Sequence, residues 1–397
     1  MDLDGLRDLL SPRGQQVLVE AMKLAPRQED FLRHFTLLSR KFPAELARSA
    51  VEIAILRREA ALKFPQAQKM YFTRPALEQA TPAEVAAYHA ERYLPFSQVV
   101  DLGCSIGGDT LALAQLVPTL GIDIDPLRLR MAFANAEALN LSDRTEFIQA
   151  DLYAWLPVHR SAACALFFDP ARRSSERRAF HVGDYQPPLE VVNRWLMHFP
   201  ALGVKISPGV ERSELLPYDA EVEFISLQGE MKEAVLWFGP LKTAARRATI
   251  LPGPHTMAAD LTEREEPAAI SPPQRYLYEP DPAVLRAGLV RSLARRLNAT
   301  QLDEDIAYLT SASYLPTPFA RAWEIETWLP FNLKRLRDYL RQRRVGRVTV
   351  KKRGSPLEPE ALIRDLRLKG DQERVIFLTH FMGKPIVILG LPGQMTI

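Results

Sequence analysis

Cysteine is scarce in this chain, with only two among 397 residues. So low a number excludes a disulfide framework and favours a reducing compartment. Apolar runs long enough to cross a membrane are missing, and residues 1–7 lack the apolar stretch of a signal peptide. Neither sign of charge is in large excess, since 51 basic residues face 48 acidic ones. These absences predict a soluble, cytoplasmic protein without a membrane partner.

The most informative segment runs from Val99 to Thr110. Apolar residues lead into Asp101, small residues follow, and a helical run begins near residue 111. This pattern predicts a strand, a tight turn and a helix start, where glycine lets backbone amides approach a bound cofactor. Gly103, Ser105 and Gly107 follow the acid at every second position, a spacing that differs from the dinucleotide-binding fingerprint.

Three further apolar runs also end in an acid: Asp123, Asp151 and Asp169. Apolar strands that alternate with helices predict a parallel sheet, and ligands of such sheets bind at the carboxyl ends of the strands. Asp123 follows the glycines by about 20 residues, the separation expected of a ribose-binding carboxylate. For any single acid, a helix N-cap or a solvated turn is the alternative interpretation.

The loop and the strand-end acids resemble those of class I S-adenosylmethionine-dependent methyltransferases, with Ser105 where a middle glycine is usual. The resemblance implies that Asp123 binds both ribose hydroxyls, Asp151 the adenine amine, and Asp101 the methionine moiety, with S-adenosylmethionine as the cofactor. It also implies a lid just before the first strand, where Thr73 is a cofactor-binding candidate and packing the alternative. We expect no metal site.

The fourth strand leads into Asp169-Pro170-Ala171-Arg172-Arg173. Family members that methylate exocyclic amines carry Asp or Asn, two prolines and an aromatic residue here, so the acid and first proline match and the rest does not. Asp169 and Pro170 are therefore the catalytic candidates, and Arg172 and Arg173 are candidates for binding substrate anions. A cysteine nucleophile, as in C5 methylation of pyrimidines, is not expected. Cys104 lies in the cofactor loop and Cys164 within an apolar strand.

The expected fold is α/β: a Rossmann-like class I methyltransferase with a seven-stranded, mostly parallel sheet, an N-terminal helical region and a C-terminal α+β THUMP-like domain. Five parts are predicted: helices over 1–62, the methyltransferase domain over 63–250, a proline-rich linker over 251–274, a small ferredoxin-like linking domain over 275–325, and a basic THUMP-like domain over 326–397. A capping box at Thr81, Pro82 and Glu84 predicts the helix that precedes the first strand.

The segment from Lys334 to Arg353 contains ten basic residues and one acid. An amphipathic helix, a strand and a Lys-Lys-Arg-Gly turn are predicted there, and they form a plausible phosphate-binding face, with a solvated helix as the alternative. This region and residues 366–389 resemble the THUMP-like domain found with a family of bacterial class I methyltransferases. The substrate-binding candidates in the tail are basic: Arg343, Arg344, Lys351, Lys352 and Arg353.

The leading hypothesis is an S-adenosylmethionine-dependent methyltransferase that modifies a nucleotide in structured RNA, either tRNA or rRNA. The RNA partner rests on analogy with THUMP domains and on charge. Two alternatives remain open: a methyltransferase for a small molecule or protein, and a non-catalytic RNA-binding protein that retains the fold.

Overall fold

The computed structural model describes residues 1–153, 156, 161, 163–171, 173–174, 177–178, 181–260 and 269–393. The chain divides into two compact units. Unit 1 comprises Met1–Val222 and Glu233–Thr243, and unit 2 comprises Glu223–Lys232 and Ala244–Ile397. Among the described residues, no helix is both long and apolar enough to span a bilayer.

Unit 1 begins with four helices: α1 (Leu3–Leu10), α2 (Pro12–Lys23), α3 (Phe31–Ser39) and α4 (Ala44–Ala60). The side chains of Asp2 and Ser11 cap the first two by accepting hydrogen bonds from backbone amides. Pro43 immediately precedes α4 as its N-cap residue. Helix α4 is buried along most of its length, and its apolar side chains form one core with those of α1 and α2.

Two short helices, α5 (Arg74–Gln79) and α6 (Ala83–Glu91), lead to the sheet. The predicted capping box at the start of α6 is wrong: Pro82 is the N-cap residue, and no side chain caps the helix. The hydroxyl of Thr81 is 2 % exposed and binds Asp109 and Lys205 instead. The Thr81 hydroxyl thus hydrogen-bonds a buried lysine and a buried carboxylate, and does not bind the backbone amides of α6 as the local pattern predicts.

The sheet of unit 1 starts with alternating strands and helices: β1 (Gln98–Leu102), α7 (Gly108–Leu116), β2 (Thr119–Asp123), α8 (Pro126–Ala138), β3 (Thr145–Gln149) and β4 (Cys164–Phe168). The short β5 (Arg173–Ser174) and β6 (Arg177–Arg178) pair with each other, and α9 (Val191–Leu196), β7 (Leu202–Ile206), β8 (Ala220–Leu227) and β9 (Glu230–Phe238) follow. Strands β3, β2, β1, β4 and β7 are neighbours in that order and parallel, and β9 joins β7 antiparallel. The carboxyl ends of the five parallel strands therefore share one edge of the sheet.

The predicted mostly parallel sheet and its closing hairpin, β8–β9, are confirmed, but the predicted count of seven strands is too low. The ladder beyond β8 continues with β10 (Arg246–Leu251) and β11 (His255–Ala259), which makes nine strands over the described residues. Strands β10 and β11 pair antiparallel. Strand β11 lies inside the segment predicted as a linker. The prolines that suggested a linker, at 252 and 254, stand in the turn between β10 and β11, where they do not interrupt either strand.

Unit 2 contains a second sheet. Its elements are β12 (Tyr276–Pro280), α10 (Pro282–Ala287), α11 (Val290–Leu297), β13 (Thr300–Asp303), β14 (Ile306–Ser311), β15 (Ala320–Pro330), α12 (Leu333–Gln342), β16 (Val345–Lys352), α13 (Pro359–Leu366), β17 (Gln372–Phe381) and β18 (Lys384–Gly390). The strand order is β13-β14-β12-β15-β18-β17-β16. Apolar side chains of α12 and α13 pack on β17 and β18, which makes the C-terminal part α+β, as predicted.

Candidate active site

The strand-end acids lie along the carboxyl edge of the sheet in unit 1. Asp101 is in β1, Asp123 is the last residue of β2, Asp169 directly follows β4, and Asp151 stands two residues after β3. None of these four caps a helix; that role belongs to Asp125, which accepts hydrogen bonds from two amides of α8. The structure thus brings together the acids that the sequence singled out.

The loop between β1 and α7 depends on backbone conformations that glycine favours. Gly103 and Gly107 have φ angles of +83° and +86°, and Gly107 is the N-cap residue of α7. A Cβ on Gly103 would lie 2.7 Å from the carbonyl oxygen of Asp169. Gly103 therefore allows the glycine loop to lie directly against the segment after β4. Ser105 also adopts a positive φ, +50°.

Asp123 ties the glycine loop to β2. One carboxylate oxygen accepts a hydrogen bond from the amide of Ser105 and the other from the amide of Asp125, each over 2.8 Å. A carboxylate has about four acceptor sites, so each oxygen retains capacity for one more donor. The next side chain, Ile124, is 63 % exposed, which sets an apolar surface beside this carboxylate.

Asp151 lies in a more open place. Its side chain is exposed and accepts a hydrogen bond of 2.9 Å from the amide of Tyr153, which is a turn interaction. Tyr153 is itself 53 % exposed. The carboxylate remains accessible for a donor such as an amine.

Asp101 is almost completely buried and only half satisfied. Its Oδ2 accepts a hydrogen bond from the hydroxyl of Thr110, and its Oδ1 has no hydrogen-bond partner in the described part of the chain. Burial raises the pKa of Asp101 well above its ordinary value, and the nearby carboxylate of Asp109 raises it further. The pKa of Asp109 is raised by burial as well. A cation bound here would be stabilised by the orphaned oxygen.

Asp169 is the acid that follows β4. Its carboxylate is 24 % exposed, and Oδ2 accepts a hydrogen bond of 2.8 Å from Nζ of Lys205. Pro170 is buried beside it. Arg172 lies outside the described residues, and of Arg173 only the backbone, in β5, is described.

The sequence interpretation missed the groups beneath Asp169. Lys205, on β7, donates to Thr81 over 2.7 Å and lies 3.9 Å from a carboxylate oxygen of Glu233. Glu233 in turn lies 2.8 Å from Nε2 of His89. The sequence did contain a signal for Lys205, since it is a lysine within an otherwise apolar strand. Because both faces of a parallel sheet are covered, a lysine in such a strand is expected to be buried and to have a partner.

Thr73, the candidate of the predicted lid, is the N-cap residue of α5. Its hydroxyl caps α5 by accepting a hydrogen bond from the amide of Ala76. Two residues earlier, both backbone groups of Tyr71 bind the side chain of Asn135, which also donates to the carbonyl of Ile106. Asn135 thereby ties the segment that contains Thr73 to the glycine loop.

Both cysteines are buried and unsuited to nucleophilic chemistry. Burial raises the pKa of Cys164 to about 11, and burial together with Asp101 raises that of Cys104 well above its ordinary value. Since the thiolate is the reactive form, neither side chain is an effective nucleophile at neutral pH.

In unit 2 each basic candidate of the tail contacts an acid. The pairs are Arg343–Glu326 (2.6 Å), Arg344–Asp371 (3.1 Å), Lys351–Glu279 (2.6 Å), Lys352–Glu358 (2.6 Å) and Arg353–Glu279 (4.0 Å). Lys351 also lies over the ring of Trp323 and Arg353 over that of Tyr308. These cations therefore take part in the packing of unit 2.

Other exposed cations on α12, on α13 and just after α13 have no ion-pair partner within the described residues: Lys334, Arg335, Arg341, Arg364, Arg367 and Lys369. Arg337 and Arg341 donate to the backbone carbonyls of Asp365 and Arg367, over 2.6 and 3.4 Å. These bonds join the two helices and place Arg341 beside Arg367. We call Arg341, Arg364 and Arg367 the α12–α13 basic cluster.

The doubly wound sheet, the glycine loop after its first strand and the acids along its edge define a class I methyltransferase fold. A family profile described as "RNA cap guanine-N2 methyltransferase" matches residues 96–171, and one described as "THUMP domain-like" matches residues 320–392. A third profile, of a domain of unknown function, matches residues 2–60.

Similar proteins extend over most of the chain. An uncharacterized S-adenosylmethionine-dependent methyltransferase of Mycobacterium tuberculosis (strain CDC 1551 / Oshkosh) is 38% identical over 342 residues, which is 83% of this chain and 92% of the relative. Trimethylguanosine synthase of Schizosaccharomyces pombe (strain 972 / ATCC 24843) is 36% identical over 76 residues, 18% of this chain and 32% of that protein. The crystal structure of a candidate methyltransferase from Porphyromonas gingivalis W83 has the same fold, with a TM-score of 0.76 at 22% identity and coverage of 95% and 98% of the two chains.

This chain therefore belongs to the S-adenosylmethionine-dependent methyltransferases, and it carries a THUMP-like domain at its C-terminus. It is an enzyme whose cofactor is S-adenosylmethionine. The expected family, fold class and cofactor are confirmed.

Proposed function

We propose that this methyltransferase modifies an exocyclic amine of a base in structured RNA, either tRNA or rRNA. The observation that carries the proposal is the position of Asp169, which directly follows β4. Its carboxylate is partly exposed, and its backbone carbonyl lies against Gly103 of the glycine loop. A carboxylate at this position can accept a hydrogen bond from an amine. The match of residues 96–171 to the cap guanine-N2 family supports the same substrate chemistry.

The carboxyl edge of the sheet fits the cofactor. In our proposal Asp123 binds the ribose hydroxyls through its remaining acceptor capacity, and Asp151 binds the adenine amine. The exposed side chain of Ile124 offers an apolar surface to the adenine ring. Asp101 has a buried oxygen without a partner, which suits the ammonium group of the methionine moiety. The backbone at Gly103, Ser105 and Gly107 completes the site in this proposal, and Thr73 remains a candidate for its lid.

S-adenosylmethionine supplies an activated methyl group, so the protein's task is to orient the acceptor and exclude water. Asp169 accepts a hydrogen bond from one N–H of the amine, which directs the nitrogen lone pair away from the carboxylate. As the new N–C bond forms, the bond between sulfur and the methyl group breaks and its electron pair stays on sulfur, which leaves S-adenosylhomocysteine. The surplus proton of the nitrogen then passes to the Asp169 carboxylate. Pro170 fixes the backbone at this point. Arg172 and Arg173 remain candidates for contacts to phosphate.

Unit 2 provides the RNA-binding surface in this proposal. The α12–α13 basic cluster is exposed and without ion-pair partners in the described chain, so it can neutralise phosphates without first breaking an ion pair. Arg343, Arg344, Lys351, Lys352 and Arg353 remain candidates, but each would have to exchange an acid for a phosphate. The match to the THUMP-like family supports a role for this unit in RNA recognition.

The decisive experiment is transfer of a tritiated methyl group into separated RNA, protein and metabolite fractions of bacterial cells that lack the gene. We expect label in RNA, and digestion to nucleosides should place it on an exocyclic nitrogen. The Asp123→Ala variant should bind S-adenosylhomocysteine at least about tenfold more weakly by calorimetry, since each lost charged hydrogen bond costs about 1.5–3 kcal/mol. A Glu137→Ala variant on the exposed side of α8 is the control.

Label in protein or metabolites alone would replace the RNA proposal with one of the alternatives. RNA binding without transfer into any fraction would reject the proposed amine chemistry. Unchanged affinity of Asp123→Ala for S-adenosylhomocysteine would reject the assignment of the ribose site.

A further inference from the structure

Lys205 is the one feature of the site that neither the motifs nor the family resemblance anticipated. It is the penultimate residue of β7, and its side chain is only 3 % exposed. An ammonium group is rarely buried to this degree unless it is paired. Its Nζ donates to Oδ2 of Asp169 over 2.8 Å and to the hydroxyl of Thr81 over 2.7 Å.

The second of these contacts fixes the ammonium in place. The Thr81 hydroxyl accepts from Lys205 and donates to Oδ2 of Asp109 over 2.9 Å. Asp109 lies in the first turn of α7, directly after the glycine loop. Lys205 therefore stands in a chain of hydrogen bonds that connects the loop for the cofactor with the acid that follows β4.

The arrangement leaves one oxygen of Asp169 for a ligand. Oδ2 is held by Lys205, whereas Oδ1 has no hydrogen-bond partner within the described residues, and the carboxylate is partly exposed. Fixing one oxygen removes rotation of the carboxylate and determines where the other points. Preorganised acceptors of this kind lower the cost of orienting a reacting group.

We propose that Lys205 is a positioning residue for methyl transfer, which holds Oδ2 of Asp169 so that Oδ1 receives an N–H of the acceptor amine. This inference rests on the proposed function, because it takes Asp169 as the group that binds the acceptor. A purely structural lysine would stabilise the sheet without setting the rate of transfer. If Lys205 is a positioning residue, the rate of methyl transfer depends on its ammonium group. If it is purely structural, the stability of the sheet depends on it and the rate of transfer does not.

The test compares Lys205→Met, Lys205→Arg and Thr81→Val with the wild-type chain. Single-turnover transfer from tritiated S-adenosylmethionine is measured with total RNA from cells that lack the gene, and binding of S-adenosylhomocysteine is measured by calorimetry. Lys242→Met is the matched control, since Lys242 is also a largely buried lysine in unit 1 that pairs with one acid, Asp219.

We expect Lys205→Met to lower the transfer rate about 30-fold or more while its affinity for S-adenosylhomocysteine changes less than about threefold. Lys205→Arg should restore part of the rate, because a guanidinium can also donate to Asp169. Thr81→Val keeps the lysine and should lower the rate about three- to tenfold. It also serves as the informative variant if Lys205→Met does not fold.

A rate within threefold of wild type in both Lys205→Met and Thr81→Val would overturn the inference and leave the proposed function intact. Loss of S-adenosylhomocysteine binding in parallel with the rate would also overturn it, since the lysine would then support the cofactor site. No transfer by the wild-type chain into RNA, protein or metabolites would reject the proposed function, and the inference with it.

Discussion

At the scale of single residues, the site combines buried charge with backbone conformations that are costly for most side chains. Asp101 and Asp109 are both buried and lie close to Asp169, while Lys205 is the ammonium among them. Burial and repulsion from neighbouring carboxylates raise the pKa values of Asp101 and Asp109 and so disfavour their ionised forms until a cation arrives. S-adenosylmethionine carries a sulfonium and an ammonium group, so it would favour the ionised carboxylates.

This electrostatic argument predicts that cofactor binding releases protons. Burial holds the pKa of Asp101 well above its ordinary value in the free protein, and a bound cation lowers it. Affinity for S-adenosylmethionine should therefore rise with pH through the free-state pKa of this group. Calorimetry in buffers of different ionisation enthalpy measures the released protons, and Asp101→Asn should reduce their number. Proton uptake on binding would contradict the prediction.

A second residue-scale prediction concerns Gly103. Gly103→Ala should destabilise the fold by about 1–2 kcal/mol, because an L residue is strained at φ +83°. The added Cβ would also displace the carbonyl of Asp169, only 2.7 Å away, so methyl transfer should decrease more than cofactor affinity does. Chemical denaturation and transfer assays measure the two effects. The control is Gly183→Ala, where a Cβ would meet no atom within 4 Å; equal stability losses in both variants would reject the steric explanation.

At the scale of elements, the α12–α13 basic cluster stands on a pair of helices tied by backbone-directed arginines. We expect the double variant Arg341→Gln/Arg364→Gln to bind bulk tRNA at least about tenfold more weakly and to reduce the magnitude of the salt slope by about two, since two phosphate contacts are lost. Fluorescence anisotropy measures both quantities, and the melting temperature verifies the fold. A double variant of paired cations, Arg343→Gln/Lys352→Gln, should have a smaller effect. A larger effect of Arg343→Gln/Lys352→Gln would indicate that the paired cations, and not the α12–α13 basic cluster, contact RNA.

Prediction from sequence was most successful for individual strands and helices. Strands β1, β2 and β4 are short apolar runs that end in an acid or lead directly into one, and this pattern is local, so it can be read without knowledge of tertiary contacts. The pair Lys205–Thr81 spans 124 positions of the chain, and no local rule connects them. Thr81 even carries a local signal for a helix cap, which the buried lysine overrides. Pairing of the basic tail with acids such as Glu279 is equally non-local.

For the whole molecule, net charge is a poor guide to function, because 51 basic and 48 acidic residues nearly cancel. Their distribution matters: ten bases and one acid fall between Lys334 and Arg353, and the strand-end acids gather at one edge of the other unit's sheet. In our proposal, the acids bind a small cationic cofactor and basic residues of unit 2 bind a polyanion. These two binding events should respond differently to salt.

Raising monovalent salt from about 50 to 200 mM should weaken binding of bulk tRNA by about 100-fold or more, because several counterions return to the phosphates. Affinity for S-adenosylhomocysteine should change less than about threefold, since that ligand is small and binds among partly buried groups, which salt screens weakly. Methyl transfer to RNA should then lose kcat/KM with salt through a higher KM, at nearly constant kcat. Anisotropy, calorimetry and steady-state transfer measure the three quantities. Binding of tRNA that is indifferent to salt would reject unit 2 as a phosphate-binding surface without affecting the cofactor site, whereas a loss of kcat alone would place the salt effect at the carboxylates around Asp169.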